Sequence, residues 1–279
     1  MNYIFKDMLS RSVEVYVDDI VIKSNLCEQH IKDLQEVFQA LRHHDMKLNL
    51  DKCAFGVEWG KFLGFMLTHR NIKANPEKCR AITKRQSPEN VKEIQRLIRR
   101  LTTLSRFVQK LVEKTKLIIQ LLRKASKVQW TDECEGIFLQ LKAFLASPLA
   151  IQKSDAKEPI IVYLAMSEDA INAMLVQKVE TEERPVYFSS WVLHGAKIRY
   201  QMIEKVPFAL VITAWRIQMY FQNHRLVVRI DYPIMKILAK PDLARQMIEW
   251  AVEFSKFQMQ YHPREAIKSQ TLVDFPDGW

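Results

Sequence analysis

Val13, Val15 and Val17 alternate with Glu14 and Tyr16, and Ile20–Val21–Ile22 restores the apolar pattern after Asp18–Asp19. Alternation on both sides of a short acidic break predicts a β-hairpin. Ile31, Leu34, Val37, Phe38 and Leu41 then recur at helical spacing, which gives an amphipathic helix to about residue 43. Phe62 to Leu67 reads as one short apolar strand followed by a turn at Thr68–Asn71, where Asn71 suits a left-handed backbone. Ser87–Pro88–Glu89 is a helix-start signal, with N-cap, first-turn proline and an acid near the positive dipole end. From there Val91, Ile94, Leu97, Ile98, Leu101, Leu104 and Val108 mark a buried helical face. Leu117, Ile118, Leu121 and Leu122 mark a second helix, and 133–145 a third that ends before Pro148. Residues 148–159 (PLAIQKSDAKEP) have linker composition.

Beyond the linker, strands are expected at 160–165, 171–176 and 185–189, then a long helix over about 203–221. A strand at 226–230, helices around 234–238 and 243–254, a strand at 257–261 and a short helix near 268–275 follow. That order predicts a mixed-sheet α/β (α+β) domain. Pro207 falls inside the long helix and is expected to kink it or delay its start. Trp130, Trp191, Trp215 and Trp250 lie in apolar context and are read as core.

Charge changes the picture more than composition does. The chain has 279 residues, 48% hydrophobic and 27% charged, with a net charge of +10. Disorder, a collagen repeat and a disulfide scaffold are excluded on that composition. No uncharged apolar run approaches the ~20 residues of a membrane helix, and the first residues lack the pattern of a signal peptide. A cytosolic or nuclear location is therefore expected, with no membrane partner and with four reduced cysteines at no metal or redox spacing. Residues 1–150 hold 26 Lys+Arg against 17 Asp+Glu, whereas 151–279 are nearly neutral. Within 78–127 stand 15 basic residues and three acidic ones. Such density is the footprint of a polyanion-binding surface, nucleic acid first, although a charge run also fits an ordinary solvated helix face. Asp18–Asp19 likewise fits an exposed turn as well as a cation site on its residues alone.

Context decides between those readings. VYVDDIVIKS, then a helix, LNLDKCAFGVEWGKFLGF and IKANPEKCRAI together closely resemble the C-terminal half of a retrotransposon reverse-transcriptase palm. The resemblance is to gypsy-type long-terminal-repeat elements, particularly plant ones, and runs from Asn2 to Asp274. It implies four parts: a partial palm over 1–75, a basic helical thumb over 76–128, a connecting helix and linker over 129–159, and an RNase H-like domain over 160–279. It implies that Asp18 and Asp19 are metal ligands for polymerisation and that Phe62, Leu63 and Gly64 grip the primer strand. Arg96, Arg99, Arg100, Arg106 and Lys110 would contact template–primer duplex. In the RNase H-like part the resemblance assigns Glu204, Asp231 and Asp274 to three of four acids that hold two magnesium (or manganese) ions. The first acid of that set aligns with Ala165, which offers no ligand, and Glu168 and Asp169 lie too far along to replace it. The family's earlier palm acid and fingers belong upstream of where this sequence begins. The implied partners are an RNA–DNA hybrid or DNA duplex and the rest of the Pol polyprotein. The chain is expected to bind nucleic acid and to be catalytically incomplete. The rival readings are a non-enzymatic binding module and a non-functional pseudogene product.

Overall fold

The structure is a computed structural model that describes residues 3–9, 11–17, 19–24, 26–57, 60–62, 64–68, 71–122, 129–230 and 245–263. The chain forms two compact units, Met1–Asn75 and Pro76–Trp279.

In the first unit the alternating valines form β1 (Val13–Tyr16), which pairs antiparallel with β2 (Asp19–Ile22) in the register Tyr16↔Asp19. Helix α1 (Cys27–His43) buries Val37 and Leu41 with Phe5 and Val13, and Phe38, Ile20 and Ile22 pack around them. Ile31 faces solvent, and the buried position near it is Asp33, which accepts hydrogen bonds from Ser24 Oγ at 2.5 Å and Gln29 Nε2 at 3.0 Å.

The strand expected at Phe62–Leu67 is instead two, β3 (Gly60–Phe62) and β4 (Phe65–Leu67), paired with Phe62 opposite Phe65. The reversal between them uses Gly64 at φ +72°, a conformation that a Cβ would disfavour. Thr68 does make a turn to Asn71 through both its N–H and its hydroxyl. Asn71, however, lies in β5 (Asn71–Ala74) and not in left-handed backbone, since the pairing of β4 with β5 demands extended geometry there.

The second unit opens with α2 (Pro76–Thr83) and α3 (Val91–Thr103). Ser87 does not cap α3. Asn90 does, accepting from Glu93 N–H at 3.0 Å, while Ser87 Oγ donates to Glu135. Asn with an acid three residues on is the better local cap, so the helix starts after Pro88–Glu89 instead of with them. A 3-10 turn (Ser105–Phe107), α4 (Leu111–Lys114), α5 (Lys116–Leu121) and α6 (Asp132–Ala146) follow.

The segment of linker composition is tied down. It contains β6 (Ala150–Gln152) with Ile151 buried, and Gln177 bonds to the backbone of both Asp155 and Glu158.

The expected strands form β7 (Ile160–Met166), β8 (Ala170–Val179), β9 (Glu182–Val192), β10 (Leu226–Arg229) and β11 (Met259–His262). They make one five-stranded mixed sheet in the order β11-β10-β7-β8-β9, with β10 parallel to both β7 and β11. Strand β8 runs antiparallel to both β7 and β9. Alternation along β7 sends Ile160, Val162 and Leu164 into the main core under α7 (Met202–Arg216) and α9 (Arg245–Phe254), with α8 (Gln218–Asn223) beside them. Ile161, Tyr163 and Ala165 point to the opposite face, with Met174 and Phe188.

Pro207 neither delays nor stops α7, which starts at Met202. The proline removes one bond to the Ile203 carbonyl, a loss of roughly 3 kcal/mol. Val206, Phe208, Leu210 and Val211 are all buried there, and roughly 1.5–3 kcal/mol for each such side chain outweighs it. Trp191 and Trp250 are core as expected, but Trp215 is 59% exposed and donates its Nε1–H to Glu253, so its ring lies on the surface of α7. The helices expected near 234–238 and 268–275 lie outside the described residues. Among the described residues no helix is long and apolar enough to cross a membrane.

Candidate nucleic-acid interface and acidic sets

The first acidic set sits at a strained hairpin tip. Val17 adopts φ +51°, an unusual choice for a β-branched residue, and both it and Tyr16 are exposed. Asp19 opens β2 with its side chain in solvent, while Asp18 lies outside the described residues. Of the residues expected to grip the primer strand, Phe62 ends β3 half-buried and Gly64 makes the following turn; Leu63 lies outside the described residues.

The five basic candidates divide into two kinds. On α3 the buried face is Ile94, Leu97 and Leu101. Lys92, Arg96 and Arg99 recur at i, i+4 and i+7 on the opposite side and are all exposed. Arg100 is exposed too, but its Nη1 donates to the Ala81 carbonyl at 2.8 Å, which satisfies an orphan carbonyl at the end of α2. Arg106 lies half-buried, with its guanidinium 4.9 Å from the centre of the Tyr187 ring on β9. Lys110 is 9% exposed and holds φ +50° immediately before α4. The structure thus sets Arg96 and Arg99 on an open cationic stripe, ties the exposed Arg100 to the end of α2, and turns Arg106 and Lys110 inward. Lys92 belongs to the stripe and was missed, although its spacing from Arg96 and Arg99 would have shown it.

The second acidic set does not assemble among the described residues. Ala165 is the penultimate residue of β7 and pairs with Asn172. Glu204 stands in the first turn of α7 and its Oε2 accepts the Gln201 N–H at 3.0 Å, so the carboxylate caps its own helix. Asp169 is held by Lys116 Nζ at 2.6 Å. Glu168 offers its carbonyl, not its carboxylate, to the buried ammonium of Lys205 at 2.8 Å. Asp231 and Asp274 lie outside the described residues. Among the described residues no cluster of three or more His, Cys, Asp or Glu is placed to hold a metal. A magnesium site needs several convergent oxygen ligands. Ala165 supplies none, the Glu204 carboxylate is engaged, and a lysine already donates to the β7–β8 turn, so this part of the donor set does not fit one.

The sheet order and its helices are those of the RNase H fold, here following a palm hairpin and basic helices. Residues 1–67 match the reverse transcriptase (RNA-dependent DNA polymerase) family, and 155–257 match the RNase H-like domain found in reverse transcriptase. The Pol polyprotein of transposon 297 from Drosophila melanogaster is 28% identical over 263 residues, 93% of this chain and 24% of that protein. The transposon Tf2-3 polyprotein of Schizosaccharomyces pombe is 26% identical over 219 residues, 77% of this chain and 16% of that protein. Foamy viral protease-reverse transcriptase in complex with RNA/DNA hybrid shares the fold at a TM-score of 0.81 and 19% identity, covering 96% of this chain and 37% of that one. Foamy viral protease-reverse transcriptase dRH in complex with ds DNA also gives 0.81 at 19% identity, covering 95% of this chain and 48% of that one. The molecule therefore joins part of a reverse-transcriptase domain to an RNase H-like domain. The chain is similar to retrotransposon Pol polyproteins and spans about a quarter of the length of the transposon 297 protein.

Proposed function

We propose that this segment serves a gypsy-type, plant-like Pol polyprotein as its duplex-holding part, binding an RNA–DNA hybrid or DNA duplex through the face of α3. The observation that carries the reading is the exposed Lys92–Arg96–Arg99 stripe opposite the buried Ile94–Leu97–Leu101 face. A helix presenting cations at that spacing follows a phosphate backbone, and binding of this kind releases counterions. The foamy viral relatives of this fold, held with RNA/DNA hybrid and with ds DNA, support the same ligand class. RNA-directed DNA synthesis and RNA-strand cleavage would be activities of the larger polyprotein. Asp18 and Asp19 would supply part of its polymerising metal set, and Glu204, Asp231 and Asp274 what remains of the nuclease set beside Ala165.

Fluorescence anisotropy with a labelled hybrid, repeated across a salt series, tests the reading. The double substitution Arg96→Ala with Arg99→Ala should weaken binding and lower the slope of log affinity against log salt by about two. Unchanged affinity and slope would refute the α3 interface. In the same preparation, magnesium-dependent hybrid cleavage that Glu204→Gln abolishes would refute the catalytically incomplete RNase H-like part.

A further inference from the structure

The face of the sheet that carries Ala165 is not bare. Ala165 on β7, Asn172 on β8 and Ser190 on β9 form one row of register partners, so their side chains share a face. Helix α4 lies against that row. The Val112 N–H donates to Ser190 Oγ at 3.1 Å, and Asn172 Nδ2 donates to Glu113 Oε1 at 2.8 Å. Two residues beyond α4, at the start of α5, Lys116 pairs with Asp169 in the β7–β8 turn at 2.6 Å. Asn172 is 4% exposed, and its Oδ1 has no hydrogen-bond partner among the described residues.

We infer that this row is a dedicated seat for the basic helical segment, and that a small uncharged residue at 165 and the carboxylate of Glu113 are a matched pair. The position where the resemblance expects an acid adjoins Asn172, whose amide is committed to Glu113. An aspartate there would set a second carboxylate beside the first, half-buried, with Asn172 between them. Lys116 and Lys205, which reach the turn at that end of β7, are already engaged, Lys116 with Asp169 and Lys205 with the Glu168 carbonyl. An acid at 165 therefore works against α4 on its seat. The inference concerns packing inside the second unit and goes beyond the reading of α3 as a duplex-binding face.

The test is a thermal-melting series on the full chain, with hydrogen exchange over 105–116. Ala165→Asp should lower the midpoint by about 3 °C or more, roughly a tenfold loss in the folding equilibrium, and should speed exchange across α4. Glu113→Gln keeps an acceptor for Asn172 but removes the charge, so adding it to Ala165→Asp should recover most of the loss. Ala165→Asn, uncharged and of similar size, should cost clearly less than Ala165→Asp. Additive effects of the 165 and 113 substitutions would overturn the pairing. So would equal losses for aspartate and asparagine, or an Ala165→Asp protein that keeps the parental midpoint or acquires hybrid cleavage.

Discussion

Val17 holds φ +51° at the tip of the acidic hairpin with its side chain 68% exposed, so no packing compensates locally for the left-handed backbone. A residue that accepts this conformation should relieve roughly 1–2 kcal/mol. Val17→Asn is expected to raise the denaturant midpoint of the first unit; an unchanged or lower midpoint would mean the tip is not strained. Asp33 makes the pH argument in the same unit. Hydrogen bonds from Ser24 and Gln29 hold its carboxyl below the usual aspartate value, against the opposing effect of burial. A carboxylate with a depressed folded-state pKa contributes stability above its unfolded value near 3.8 that is lost as pH falls through the folded one. The melting temperature should therefore drop on acidification below about pH 4. Asp33→Asn should flatten that dependence, and an identical pH profile for this variant would exclude the role.

At the scale of elements, the sequence was legible wherever one period ran long enough. Helices α1 and α6 and strands β7 to β9 follow directly from the spacing of their apolar residues, the helices burying one face and β7 and β8 burying both. Legibility failed where two local signals competed. Ser87 and Asn90 are both good caps, and only the Glu135 carboxylate, 48 residues away, draws Ser87 off the helix. Asn90→Ala should consequently cost about 1 kcal/mol and fray the start of α3, measurable as a lowered midpoint with faster exchange of the Glu93 amide. Gly64 similarly splits an apolar run that periodicity alone leaves whole. Of the nucleic-acid candidates, the helical repeat identifies the open stripe. The internal contact of Arg100 and the inward placement of Arg106 and Lys110 depend on an α2 carbonyl, a tyrosine on β9 and burial, none of which has a local signature.

Across the whole molecule the basic excess of 78–127 is not a uniform coat. Part faces solvent on α3 and part is spent on contacts within the second unit, among them Lys116 with Asp169. The carboxylates of Glu113, Asp169 and Glu204 are similarly engaged within the protein, and Lys205 already bonds to the turn after Ala165. A ligand that binds only the folded state raises its stability by mass action. Millimolar magnesium should therefore leave the melting temperature of the full chain unmoved, as should its removal by chelation. A magnesium-dependent rise would reveal a formed site.

Strand β9 has a further consequence. It is an outer strand of the five-stranded sheet, 11 residues long, and the 3-10 turn at Ser105–Phe107, α4 and β6 all lie against it. Long uncovered edge strands are templates on which other chains can add. Removing the helical segment that would grip nucleic acid would leave β9 bare on the face that carries Ser190. A fragment cut to begin after Gln152 should form concentration-dependent aggregates, where one beginning at Pro76 stays monodisperse.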